Sequence, residues 1–137
     1  MNITTLFSEI NWLAVILVII LSFVLGALWH SKLLFGKAWS EDSKTKYNSD
    51  YHGNPLVVFG LSALLHTVAV IGLAMFIGRD SNALAGMLKG LVISTAWIST
   101  SIGVTYIFVG HSFRLFLIDA GFYVVFLSLA GLILGVW

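Results

Sequence analysis

One histidine stands in the middle of a long apolar run: His66, between Pro55 and Gly78. An imidazole at that depth in hydrocarbon costs free energy without a partner, so it needs a structural or a functional reason. Two readings fit. In the structural one, a neutral ring hydrogen-bonds Ser or Thr hydroxyls and ties the second apolar stretch to the third. Ser94 and Ser99 share its depth if those stretches run antiparallel, and Ser62 lies one turn away on its own stretch. Such bonds contribute only ~0.6 kcal/mol on average in membranes. In the functional reading His66 is a proton or ligand site, because imidazole changes charge near neutral pH.

Asp119 forms the second constellation. It lies about one turn inside the last apolar stretch, roughly 6 Å along a helix axis. A carboxylate there should face inward and find a partner. Arg114 is five residues back, on a different helix face, and is a poor mate. His30 and Lys32, at the end of the first stretch, are better placed, and Tyr106 near the matching end of the third could donate its hydroxyl. The structural reading is an ion pair or hydrogen bond locking the fourth stretch to the first. The functional reading is the mouth of a polar pathway toward His66.

The remaining chemistry is thin. There are four histidines, His30, His52, His66 and His111, and no cysteine. Thiol catalysis, disulfides, iron–sulfur clusters and Cys-ligated zinc are therefore excluded. Haem held by two helices needs histidines at one depth, and His66 has no such mate. An enzyme acting on lipid or quinone needs clustered acid, base or metal. Only Asp119 with His30 or His111 approaches that, so neither a catalytic activity nor a cofactor is expected.

The elements that must position these residues are four apolar stretches, at about 10–35, 55–78, 83–110 and 115–137. Each is near or above the ~20 residues a helix needs to cross ~30 Å of hydrocarbon. Continuous runs of this kind in lipid are helices, because backbone groups must bond internally. Of the 137 residues 59% are hydrophobic and 9% charged, against about 25% charged in a soluble domain. The expected fold is an all-α membrane protein, a single domain of four transmembrane helices in an up-down antiparallel bundle. The first stretch reads as a retained anchor, since it lacks a positive n-region and a small-residue cleavage site.

Residues 36–54 read as the one substantial hydrophilic loop, with tight turns at 79–82 and 111–114. Lys32, Lys37, Lys44, Lys46 and Arg114 gather on one face, against Arg79 and Lys89 on the other. The positive-inside rule then puts the long loop in the cytoplasm and both termini outside, as in a bacterial inner (plasma) membrane. Lys89 reads as snorkelling to the outer headgroups. The net charge of +1 and the absence of a basic stripe exclude a nucleic-acid partner. Small residues repeat at four-residue spacing: Gly86 with Gly90, Gly131 with Gly135, Ser22 with Gly26, Ala63 with Thr67. Such faces allow close helix approach, within one chain or between copies.

Three strings form a pattern: Asn11-Trp12-Leu13-Ala14, then Phe23 to Trp29, then Leu34-Phe35-Gly36-Lys37-Ala38-Trp39. With Phe116 to Tyr123 before a glycine-rich end, they resemble the integral membrane family known as domain of unknown function 1761. The likeness spans essentially the whole chain. Two positions depart from the family pattern: His30 where it has a tyrosine, and Phe122-Tyr123 where it has a tyrosine–histidine pair. The resemblance implies a four-helix integral membrane protein and no particular activity. It directs attention to the end of the first helix and to Asp119.

Two functions compete. One is a non-enzymatic, self-associating membrane component or accessory subunit, whose partners are membrane lipids, further copies and a larger membrane complex. The other is an oligomeric small transporter or channel with a polar path near His66 and Asp119.

Overall fold

The structure, a computed structural model, describes residues 3–44 and 54–137. His52 and Lys46 lie outside the described residues. All the regular elements among these residues are helical: α1 (Ile3–Ser8), α2 (Trp12–Trp29), α3 (Gly36–Lys44), α4 (Pro55–Ile77), α5 (Ala83–Ile93), a π-helical segment (Ser94–Ser99), α6 (Thr100–Val109) and α7 (Phe113–Val136). Four helices are long and apolar enough to cross a membrane, by length and composition: α2, α4, the continuous helix Ala83–Val109, and α7.

Each long helix starts at a side chain that accepts orphan backbone N–H groups. Asn11 accepts from Leu13 and Ala14, and Asn54 from Leu56, with Pro55 at the first helical position. Asn82 accepts from Ala85, and Ser112 from Leu115.

The first helix is shorter than its apolar run. The run continues to Phe35, but α2 ends at Trp29. The chain folds back there: the Phe35 N–H donates to the Trp29 carbonyl at 3.0 Å, and the Gly36 N–H to the Ser31 carbonyl at 2.9 Å. A Cβ at position 36 would lie 2.2 Å from the His30 carbonyl oxygen, so only glycine fits this return. The hydrophilic segment that follows is not a plain loop, because its first half is helix α3. Trp39 and Asp42, three residues apart, share the α3 face that meets α7.

Helix α7 is the centre of the packing. Its Phe126, Leu127 and Ala130 meet Ala14, Val15 and Val18 of α2 and Val70, Leu73 and Ile77 of α4 in one buried cluster. Its contact with α5 is made by backbone. A Cβ at Gly86 would stand 2.1 Å from the Gly131 carbonyl oxygen, and one at Gly90 would stand 2.0 Å from that of Leu127. A Cβ at Gly135 would stand 2.5 Å from the Asn82 carbonyl oxygen, so residue numbers rise on one helix as they fall on the other. The two glycine pairs that could have served a second copy are closed on each other inside the chain.

Farther along, side chains replace backbone in this contact. The Phe116 ring lies against Gly103, and Tyr106 reaches Asp119. The change follows the π-helical segment, where Ser99 Oγ donates to the Ser94 carbonyl five residues back, at 2.7 Å. Hydroxyls that bond back to the preceding turn bend helices. The third long helix is thus tight on α7 at one end and held off by side chains at the other.

Gly131→Val should lower the unfolding free energy in micelles by about 1–3 kcal/mol through overpacking. Gly60→Ala, with nothing within 4 Å of the new Cβ, should cost nothing or stabilise slightly. Equal effects at both positions would contradict the backbone contact.

Candidate functional site

The looser end encloses a cleft of about 640 Å³, walled by α2, α4, α6 and α7 and bounded by Trp39 of α3. Its polar groups are few, as in most small-molecule sites. Asp119 and His66 both line it.

Asp119 gathers side chains from three other elements. The Trp39 indole N–H donates to Oδ1 at 3.0 Å, and the Tyr106 hydroxyl to Oδ2 at 2.5 Å. His30 Nε2 stands 3.8 Å from Oδ1. His30 is the C-cap of α2, and its Nδ1 lies 3.0 Å from the Gly26 carbonyl, so that nitrogen carries the proton. Lys32 is exposed, and the ion pair at Asp119 goes to His30 instead. The sequence reasoning that paired Lys32 with Asp119 missed the turn that ends α2 before it. It also missed Trp39 as a partner of Asp119, because helix α3 was not foreseen.

His66 is placed differently from the structural reading above. Its Nδ1 lies 2.8 Å from the Ser62 carbonyl one turn back. A carbonyl only accepts, so Nδ1 donates and the neutral ring's Nε2 is left as an acceptor. Nε2 is buried without a hydrogen-bond partner. The ring sits edge-on to Phe126 at 5.5 Å and against Phe23 at 6.0 Å. Ser94 and Ser99 do not bond to it: Ser94 Oγ donates to the Leu91 carbonyl and Ser99 Oγ to that of Ser94. Thr95, Thr100, Ser101 and Thr105 likewise bond their own helix. The polar stripe of the third helix is spent on its own backbone.

The sequence strings converge on this end. Trp29 donates its indole N–H to the Ile118 carbonyl at 3.0 Å, and its ring lies over Gly121, 3.3 Å from where a Cβ would be. Phe35 packs on Trp29, with ring centres 4.8 Å apart. Trp39 closes the set on Asp119. The Leu34-to-Trp39 string and the Asp119-to-Phe122 string are therefore two sides of one contact. A family model described as Protein of unknown function (DUF1761) matches residues 13–135. The chain belongs to this family. No curated protein and no solved structure matches it.

In this DUF1761 chain a second contact pins α3 over the cleft. Arg114 bonds Asp42 through two nitrogens and reaches Glu41 at 3.4 Å, while the Ser112 hydroxyl donates to Asp42 Oδ2. The Arg114 guanidinium, then Ser112, hold the Asp42 carboxyl down at about 2. Lys89 turns toward the end of α4. Its ammonium donates to the Ile77 carbonyl at 2.7 Å, satisfying the last turn of α4. Among the described residues no three His, Asp or Glu side chains gather as a metal site.

Asp119 raises the His30 pKa from 6.5, chiefly by hydrogen bonding and against the opposing effect of burial. A raised folded-state value means the pair stabilises the fold fully below 6.5 and loses that effect as pH climbs through the raised value. The stability difference between wild type and His30→Gln should accordingly be largest in acid and shrink toward alkaline pH. A difference that does not vary with pH would remove the His30–Asp119 interaction. Arg114→Gln should release α3 and increase iodide quenching of Trp39, read in a variant with the other four tryptophans replaced by phenylalanine. Unchanged quenching would show that Asp42–Arg114 does not hold the helix.

Proposed function

We propose that this chain is a non-enzymatic integral membrane protein that holds a small amphipathic molecule in the cleft between Asp119 and His66. The observation that carries the reading is the cleft itself. It is largely apolar, lies among helices long and apolar enough to cross a membrane, and has one polar cluster around Asp119. That combination suits an amphiphile, with its head at Asp119 and its body beside Phe23 and Phe59.

An up-down antiparallel bundle supplies the frame. Its support is that the first and third connections meet through Asp42 and Arg114. Asn11, Arg79 and Trp137 instead line a small cavity of about 30 Å³ together. Basic residues at the α3 end put that end in the cytoplasm and both termini outside, in an inner (plasma) membrane. Self-association, or docking into a larger membrane complex, belongs to the same reading of an accessory component. The inward-facing glycine pairs leave it to the exposed aliphatic faces of α4 and α6 rather than to glycine stripes.

Passage across the membrane by one chain has less support. Beyond His66 the space between helices is filled by Val18, Val70, Leu73 and Phe126. The polar lining thus extends only part of the way along the helices, and a transporter would need a path between copies.

Native mass spectrometry of the protein released from its membrane should find one small amphiphile per chain. Ala27→Trp, which extends an exposed wall residue into the cleft, should lose it. A wild type that carries nothing, or a variant that retains the molecule, would contradict the reading. For the orientation, single cysteines placed by Thr4→Cys and Lys37→Cys in this cysteine-free chain should label from opposite sides of sealed vesicles. Labelling from the same side would contradict the bundle.

A further inference from the structure

We infer that the cleft selects a lipophilic cation: a molecule with an apolar, preferably aromatic, body and one positive charge seated at Asp119. The inference rests on the cleft reading proposed above and specifies its ligand.

The polar groups of the cleft are unbalanced. Among the described residues Asp119 is the only carboxyl group lining it, and neither lysine nor arginine does so. Trp39 and Tyr106, the two groups hydrogen-bonded to Asp119, are neutral donors. They fix the carboxylate in place without cancelling its charge. Arg114, the nearest guanidinium along the helix, is occupied by Asp42 and Glu41. Among the described lining residues only the imidazoles can bring a positive charge, His30 from 3.8 Å and His66 from deeper in the cleft, each only when protonated. The His66 Nε2 has no hydrogen-bond partner and accepts when the ring is neutral. A ligand at Asp119 therefore meets a carboxylate with no lysine or arginine beside it among the described residues.

The walls match a cation as well. Trp39, Tyr106, Phe122 and Tyr123 line the same cleft as the carboxylate. Aromatic faces attract cations by about 0.5–2 kcal/mol each, most when water is excluded. An anion would be placed against the Asp119 carboxylate. A neutral molecule without a donor would strip water from the carboxylate and return nothing, and one with a donor would return a hydrogen bond but no opposite charge. A cation displaces the water and also supplies the opposite charge. The volume, about 640 Å³, accommodates a body of several rings.

The test uses three probes of similar shape and different charge: tetraphenylphosphonium, tetraphenylborate and neutral triphenylmethanol. Each is titrated against the full chain in phosphatidylcholine nanodiscs, with empty nanodiscs subtracted. The phosphonium should saturate at one per chain and bind at least about tenfold more tightly than the other two. Asp119→Asn should weaken the phosphonium by about tenfold or more and leave triphenylmethanol unchanged. If the borate or the alcohol binds as tightly as the phosphonium, the cation inference falls while the cleft reading stands. If none of the three saturates, both fall. The wild-type comparison decides even if Asp119→Asn fails to fold.

Discussion

A charge placed among apolar helices has to be answered by the groups around it, and Asp119 organises this molecule in that way. Its two oxygens draw in the indole of α3, the phenol of α6 and the imidazole that ends α2. Each partner comes from a different element, so one carboxylate ties together the relative positions of four. The short helix α3 has no hydrophobic reason of its own to lie where it does. It is held by Trp39 on Asp119 and by Asp42 on Arg114, two polar contacts on one face. A buried ion or hydrogen-bonded cluster of this kind is weak evidence for stability by itself and better evidence for a defined geometry. Here the geometry is a cleft with its charge at the mouth.

Two kinds of close approach divide the third long helix. In its first half glycine meets glycine, and the backbones of α5 and α7 touch through Gly86, Gly90, Gly131 and Gly135. In its second half Tyr106 and Phe116 stand between the same two helices. The π-helical segment lies at the change from one regime to the other. Such segments often mark functional sites, and this one precedes the two residues, Ile102 and Tyr106, that the third helix gives to the cleft.

Much of the frame was legible in the sequence because it rests on short-range rules. Apolar run length identified four helices, and Asn11, Asn54, Asn82 and Ser112 stand one residue before their starts. Asp119, His30 and Tyr106 do come together, since positions at matching helix ends face one another. What was not legible depends on one fold-back. Apolar residues resume at Leu33 to Phe35 after His30-Ser31-Lys32, so the stretch was read across that polar break and the stop at Trp29 was passed over. Gly36 was the available signal, and its meaning lies in the carbonyl it approaches rather than in its neighbours in sequence. Without that turn α3 has no place, Trp39 is not seen beside Asp119, and Lys32 reads as a partner for it as readily as His30. Likewise, a stripe of Ser and Thr looks like a polar surface until each hydroxyl is found bonded to its own preceding turn.

The contact between Trp39 and Asp119 joins the short helix to the central one and closes the mouth of the cleft. A double-mutant cycle on it, with Trp39→Phe, Asp119→Ala and the pair compared by unfolding free energy in micelles, isolates the coupling between the two residues. A favourable coupling of about 1–3 kcal/mol, the range for hydrogen bonds to charged groups, is the predicted result. Strict additivity of the two single losses would mean that the indole and the carboxylate do not meet, and the geometry built on them would not stand.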